Sequence, residues 1–177
     1  MPFTPYHVGP GLLLKAVLPR HFSLTAFTVT QIAVDVEPLY HLVGRQTPVH
    51  GPAHSLLVAS AIGVAVGAAL RGITRAEAER SPAGLVASAR RLPGLRSEFS
   101  LTGALSGGLL GGLTHVLLDA TTNADVRLFW PASDQNPLLG LATPAALRLD
   151  CVLAGVLGLV ALAARSSLWR NPRRVAD

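Results

Sequence analysis

The residues best able to do chemistry are histidines and carboxylates that recur a few positions apart. His115 and Asp119 are four residues apart, so on a helix both side chains point to one side. His50 and His54 have the same separation, and Pro52 between them favours a helix start, which places His50 just before the helix. Imidazoles and carboxylates together bind Zn²⁺, Mn²⁺ or Fe²⁺. These two pairs predict a divalent metal site, with zinc favoured.

Three more ionisable residues could join this site. Asp35 and Glu37 lie just before Pro38, which predicts a helix end there. Because residues two apart on a helix point in different directions, one carboxylate could bind metal while the other accepts a hydrogen bond or acts as a base. His7 is the third candidate. The alternatives are a hydrogen-bonded core histidine and, for Asp35, an ion pair with an arginine such as Arg148.

Composition places these residues in a membrane protein. The chain has 177 residues, of which 50% are hydrophobic and 14% are charged, whereas soluble domains carry about 25% charge. A single cysteine excludes a disulfide scaffold and a Cys-rich zinc module. The formal net charge of +5 alone could suggest nucleic acid. No interleaved aromatic residues accompany the basic ones, so no nucleic-acid partner is expected.

Charge-free stretches predict an all-α bundle of membrane helices. A spanning helix needs about 20 mostly apolar residues, and such stretches occur near 24–43, 54–71, 100–119 and 148–165. Residues 5–18 predict a helix of about 21 Å, too short to cross the bilayer core. The sequence therefore predicts one membrane-embedded domain, residues 1–177, with about four full spans and a short N-terminal helix.

Small residues predict which spans pack together. Glycines recur at four-residue spacing in the second and third spans, and such spacing lets helix backbones approach closely in lipid. They are Gly63, Gly67, Gly103, Gly107, Gly108, Gly111 and Gly112.

Basic residues predict the orientation. Cytoplasmic loops of membrane proteins are enriched in arginine and lysine. Most basic residues would lie on one side: Lys15, Arg20, Arg71, Arg75, Arg80, Arg90, Arg91, Arg96, Arg165, Arg170, Arg173 and Arg174. The opposite side would hold Arg45, Arg127 and Arg148. This predicts a cytoplasmic C-terminus and a mobile basic cytoplasmic loop at 72–99. The candidate metal ligands would then meet at the extracytoplasmic end.

The order of these motifs resembles that of a known family. An early histidine precedes an Asp-x-Asp/Glu, a His-x-x-x-His-Ser, a His-x-x-x-Asp-x-x-Thr and a Leu-x-Trp-Pro. Here these are His7, Asp35-Val36-Glu37, His50 to Ser55, His115 to Thr122 and Leu128 to Pro131. The pattern resembles the YdjM-type family of inner-membrane proteins, described as metal-dependent hydrolases. Glu37, Ala53 and Asp125 depart from the family's usual residues, Asp125 standing where a glycine is expected.

The resemblance implies a multi-pass protein of the bacterial inner membrane and a set of ligands. The His-x-x-x-Asp element is similar to that of zinc-dependent phospholipase C and P1-type nucleases, which implies chemistry on phosphoesters. One or two divalent metals, most simply zinc, would be held by His7, Asp35, His50, His54, His115 and Asp119.

The leading hypothesis is hydrolysis at the extracytoplasmic face by a metal-activated water. Glu37 is the predicted general base, with Asp35 beside it, while Thr122 and Ser55 would support the ligands by hydrogen bonds. Trp130 would contact lipid headgroups or serve as a plain interface anchor. Membrane lipid and a small-molecule or lipid-linked substrate are the predicted partners.

Two other functions remain open from the sequence. One is a non-enzymatic metal-binding membrane protein, such as a transporter or sensor. Transport sites usually lie near the bilayer midplane, whereas these ligands lie near helix ends. The other is an interaction protein that binds a cytoplasmic partner through the basic loop.

Overall fold

The fold is entirely helical over residues 5–170, the part of the chain that the computed structural model describes. The α-helices are α1 (Val8–Val17), α2 (Leu24–Val43), α3 (Leu56–Arg80), α4 (Leu85–Ala89), α5 (Leu101–Ala120) and α6 (Pro144–Arg170). Short 3-10 turns occupy Pro5–His7, Pro52–His54 and Pro93–Phe99. The predicted all-α class is confirmed. The C-terminal arginines Arg173 and Arg174 lie outside the described residues.

Three helices are long and apolar enough to cross a membrane: Leu56–Arg80, Leu101–Ala120 and Pro144–Ser166. The predicted span at 24–43 is a helix of 20 residues, but it is not among these three because polar side chains interrupt its apolar sequence. The short N-terminal helix is confirmed as α1, whose ten residues reach about 15 Å.

Two predicted boundaries differ from those observed. The predicted helix end before Pro38 is wrong: α2 continues to Val43 with Pro38 buried inside it. A proline removes one main-chain hydrogen bond and can kink a helix without ending it. In addition, α3 continues to Arg80, so the first part of the predicted 72–99 loop is helical. The mobility and the cytoplasmic location of that loop stay predictions.

Serine side chains fix where the long helices begin. Ser23, Ser55 and Ser100 each precede a helix with extended backbone, and each hydroxyl accepts a hydrogen bond from the main-chain N–H three residues ahead. This satisfies a donor that a helix start leaves unpaired. The cap at Ser55 matters most for the site, because it sets the start of α3 directly after His54.

Helix α5 packs against both α2 and α3, while α1 packs mainly against α6. Glycine makes the α3–α5 approach close. A Cβ atom added to Gly63 would collide with the backbone of Gly108, and one added to Gly108 would collide with that of Gly63. The predicted close packing of these two spans is therefore observed. It brings the start of α3, next to His54, close to the end of α5, which carries His115 and Asp119.

A buried ion pair ties α1 to the segment before α5. The Lys15 ammonium donates to the Glu98 carboxylate, to the Ser97 hydroxyl (2.6 Å) and to the Phe22 carbonyl (2.9 Å). Glu98 also accepts from the Ser23 hydroxyl at 2.8 Å. Burial would raise the pKa of Glu98, but Lys15 and these other donors outweigh burial and hold the pKa below its usual value.

The close α3–α5 contact predicts opposite effects for two glycine-to-alanine changes. Gly108→Ala should lower the free energy of unfolding by about 1–3 kcal/mol, because the new methyl group collides with α3. Gly72→Ala is the matched control: a Cβ there meets nothing within 4 Å, so the better helix propensity should raise stability by up to about 1 kcal/mol. Unfolding by SDS in mixed micelles measures both. Equal effects would contradict the packing argument.

The buried ion pair predicts a large loss for Glu98→Gln. Removing one partner leaves a buried ammonium uncompensated, which should cost about 3–5 kcal/mol. Glu79→Gln is the control, since its pair with Arg75 is exposed and should contribute little.

The same experiment has a pH dependence. Because the pKa of Glu98 is lowered, its stabilisation is complete above its ordinary value of 4.5 and is lost as the pH falls through the lowered pKa. The difference between wild type and Glu98→Gln should therefore shrink in acid. A constant difference would contradict this role.

Candidate metal centre

Four buried ligand atoms from three parts of the chain meet in one cluster. Asp35 comes from α2, His54 from the 3-10 turn before α3, and His115 and Asp119 from the last two turns of α5. One donor atom from each lies within 4.8 Å of every other. We call these four residues the four-donor cluster. The i, i+4 spacing of His115 and Asp119 places both on the inward side of α5, as the sequence predicts.

The spacing of the donors suits a metal ion. The Nε2 atom of His115 lies 3.3 Å from both the Nε2 atom of His54 and the Oδ1 atom of Asp35. Asp119 Oδ2 lies 3.4 Å from the Nε2 atoms of both histidines. Ligands bound tetrahedrally to zinc at about 2.0–2.1 Å are separated by about 3.3–3.4 Å. Four of the distances within the cluster therefore match the edges of a zinc tetrahedron.

Gln31 fixes the orientation of the His115 ring and the tautomer of its neutral form. Its amide nitrogen faces the Thr114 hydroxyl at 3.3 Å, so its carbonyl oxygen accepts from the Nδ1–H of His115 at 2.6 Å. In neutral His115 the Nε2 lone pair is then free to face the cluster. Sequence reasoning missed Gln31. Its signal was a polar residue in an apolar helix, four positions before Asp35.

The two ring nitrogens of His54 face different acids. Its Nε2 atom faces the other donors, while its Nδ1 atom lies 3.8 Å from Glu37 Oε2. Burial alone would lower the pKa of His54, but contacts with the carboxylates of Asp119 and Glu37 raise it above its usual value. Thus His54 lies between two acids, and the Oε2 atom of Glu37 also binds main-chain groups beside it.

Two carboxylates bind the main chain of residues 49–53. Glu37 Oε2 accepts from the N–H groups of Gly51 (3.1 Å) and Ala53 (3.0 Å). Asp125 Oδ2 accepts from those of Val49 and His50, both at 3.0 Å. The residue between them, at position 52, is a proline without an N–H. A Cβ at position 51 would meet the Glu37 carboxylate at 2.6 Å, so the close approach needs glycine.

His50 lies beside the four-donor cluster rather than in it. Its Nδ1 atom lies 2.7 Å from Asp125 Oδ1, and its ring centre lies 4.7 Å from that of His54. Burial and the neighbouring His54 lower the pKa of His50, and the contact with Asp125 only partly offsets this. Asp125 thus positions His50. The sequence comparison noted Asp125 only as a departure from the family pattern, since a partner so distant in sequence cannot be found from spacing.

His7 adds another imidazole at the edge of the cluster. Its Nε2 atom lies 3.7 Å from Asp119 Oδ1, and its ring meets that of His115 edge to face, with centres 5.0 Å apart. Burial lowers the pKa of His7. Within the described part of the chain, its Nδ1 atom is buried without a hydrogen-bond partner. Asp119 therefore directs one oxygen to the four-donor cluster and the other towards His7.

The remaining predicted site residues lie outside the cluster. The Ser55 hydroxyl caps α3 and donates to the Pro52 carbonyl at 2.8 Å, so it supports the segment that carries His54. The Thr122 hydroxyl lies 3.5 Å from the main-chain carbonyl of Asp119. Among the described residues, Thr122 makes no hydrogen bond to the carboxylate of Asp119. Trp130 is half-buried in the turn after α5.

The donor set fits a bound divalent cation. Two buried carboxylates with two buried imidazoles suit a borderline-hard cation, and four of the separations between the donor atoms match those expected around zinc. The four-donor cluster could therefore hold a metal ion.

Comparison with known proteins gives one family. No curated protein and no solved structure matches the chain significantly. A family model described as YdjM inner membrane protein matches residues 11–174, a range that includes the whole four-donor cluster but not His7. The chain belongs to the YdjM inner membrane protein family.

Proposed function

We propose that this protein is a metal-dependent hydrolase that cleaves phosphoester or lipid-linked substrates at the extracytoplasmic face of the inner membrane. The observation that carries the proposal is the four-donor cluster, in which four of the separations between donor atoms match the edges of a zinc tetrahedron. Manganese or iron would suit the same donors. A bound divalent ion lowers the pKa of a coordinated water towards about 7 and polarises the scissile bond.

The groups around the cluster favour catalysis over a purely structural metal. Structural zinc sites are rich in cysteine, and this one contains none. Asp119 directs its second oxygen towards His7, so the two could help to hold another cation. His50 supplies a further imidazole, whose ring centre lies 4.7 Å from that of His54. Additional imidazoles next to a filled ligand set are expected where substrate must also be bound or protons moved.

We assign to Glu37 the role of proton acceptor beside the cluster. Its Oε2 atom is anchored by two main-chain N–H groups, while its Oε1 atom makes no hydrogen bond within the described residues. The side chain remains 23% exposed, whereas His54 beside it is fully buried. An anchored carboxylate with one free oxygen that water can reach has the properties of a general base.

Asp125 gives His50 a defined role as well. The Asp125 carboxylate accepts from the Nδ1–H of His50, which leaves the Nε2 lone pair to bind a cation or a substrate proton. Because the pKa of His50 is lowered, its imidazole is neutral near pH 7. This supports His50 as an auxiliary ligand or proton acceptor, held in orientation by Asp125.

The depth of the cluster supports a substrate at the membrane surface. Asp119 is in the last turn of α5, and His54 comes two residues before α3 begins. Both therefore lie close to helix ends. Phe129, in the turn after α5, is 44% exposed, and Trp130 follows it. Aromatic residues favour the headgroup level of a bilayer. A phosphoester in that layer would lie near the cluster.

Metal content tests the cluster. Purified wild-type protein should contain about one divalent metal ion or more per chain, and the double variant His115→Ala/Asp119→Ala should contain almost none, because it loses half of the four-donor cluster. His21→Ala is the control, since this exposed histidine lies outside the site. Elemental analysis measures all three. Equal, negligible metal in wild type and the double variant would refute the proposal.

Turnover tests the role of Glu37. Glu37→Gln should keep its metal, because an amide oxygen can still accept from Gly51 and Ala53, but it should hydrolyse bis(p-nitrophenyl) phosphate at least about 100-fold more slowly. Elemental analysis of the same sample provides the control. Unchanged turnover would contradict the general-base role. Metal movement across sealed vesicles, with no hydrolysis by wild type, would favour a transporter instead.

A further inference from the structure

A second chemically distinctive surface lies at the other end of the bundle from the metal centre. Helix α3 begins beside His54 and ends at Arg80, after about 37 Å, which exceeds the bilayer core of about 30 Å. The chain then forms α4 and the 3-10 turn Pro93–Phe99 before α5 enters the bundle at Leu101. This connection therefore lies along the membrane boundary opposite to the four-donor cluster.

The connection carries unpaired positive charge. Arg80, Arg91 and Arg96 are exposed and make no ion pair within the described residues. We call these three the basic patch. Two of the nearby carboxylates are already engaged, since Glu79 pairs with Arg75 at 2.7 Å and Glu98 pairs with Lys15. Glu77 is exposed and makes no ion pair with these arginines within the described residues, so the connection keeps a net positive charge.

Large apolar side chains accompany the arginines. Leu85 is 87% exposed, Leu92 is 55% exposed and Leu95 is 40% exposed. Leu92 follows Arg91 directly, and Leu95 precedes Arg96. Exposed leucines beside arginines are unfavourable in water, but they suit a bilayer interface, where the leucines enter the acyl boundary and the arginines meet phosphates.

The end of this surface is fixed to the bundle. Ser97 and Glu98 follow Arg96 immediately, and both bind the Lys15 ammonium at the end of α1. Glu98 also accepts from the main-chain N–H of Thr25 at 3.0 Å. Arg96 is therefore held next to the ends of α1 and α2 and cannot extend far from the membrane.

We propose that this surface binds anionic phospholipid: the basic patch contacts the headgroup phosphates while Leu85, Leu92 and Leu95 enter the interface. The occupant follows from charge complementarity and from the position of the surface at a membrane boundary. A soluble acidic protein would explain the arginines but not the exposed leucines at that boundary. This site is separate from the metal centre and does not depend on the proposed hydrolase activity.

Lipid selectivity tests the binding. Wild-type protein in bilayers should prefer spin-labelled phosphatidylglycerol over spin-labelled phosphatidylcholine about fivefold, the factor expected for one arginine near an anionic surface. The preference should fall to about half or less in the triple variant Arg80→Gln/Arg91→Gln/Arg96→Gln, in which other basic residues of this end remain, and it should weaken at high salt. The matched control changes three arginines at the other end, Arg45, Arg127 and Arg148, to glutamine and should keep the preference. Equal selectivity in wild type and the patch variant would overturn the proposal.

A depth measurement distinguishes the lipid from a soluble partner. A nitroxide on Leu92→Cys, with the buried Cys151 replaced by alanine, should be more accessible to oxygen than to a water-soluble nickel complex in bilayers containing phosphatidylglycerol. Adding the patch substitutions should reverse this order. A label that reports water in every bilayer would show that the surface faces solvent, which would refute lipid binding and favour a soluble partner.

Discussion

Burying two carboxylates and two imidazoles within a few ångströms of one another is the least favourable feature of this fold in energetic terms. Charged groups removed from water are strongly destabilising unless they are paired or bind a cation. The cluster of Asp35, His54, His115 and Asp119 is buried in a protein of the inner membrane. Two features make such burial tolerable: a hydrogen bond from the outer ring nitrogen of His115 to Gln31, and a donor spacing that a divalent ion can satisfy.

The helix packing follows from the need to bring these donors together. The ligands come from α2, α5 and the turn before α3, so α5 must approach both other helices closely. Glycine removes the side chains that would hold them apart, as at the contact between Gly63 and Gly108. At the opposite end, the ion pair between Lys15 and Glu98 fixes the entry to α5. The glycine contacts and this ion pair together set the position of α5.

Much of this organisation could be predicted from local sequence patterns. Charge-free stretches locate α3, α5 and α6, and glycine spacing identifies the α3–α5 contact. The i, i+4 relation of His115 and Asp119 survives in the structure because it depends only on helix geometry. The helix end expected at Pro38 is not observed. Pro38 is buried inside α2, and the packing of this helix outweighs the free-energy cost of the main-chain hydrogen bond that the proline removes.

The partners missed from the sequence share one physical property: each contact joins residues far apart along the chain. Gln31 meets His115, Asp125 meets His50, and Lys15 meets Glu98. None of these pairs has a spacing rule, since the tertiary fold alone sets the distance. His50 shows the consequence, because its spacing from His54 suggests a shared ligand set, whereas its contact with Asp125 places it beside the cluster.

The short stretch from Val49 to Ala53 has its length set by the two acids that bind it. Asp125 takes the first two amide hydrogens, and Glu37 takes those on either side of Pro52. One extra residue would shift these amides relative to the two carboxylates. At least one main-chain N–H would then lose its carboxylate acceptor, and either His50 or His54 would move away from the neighbouring imidazole. Side chains that make no such contact could vary, but an insertion or deletion here would dismantle the site without altering a single ligand.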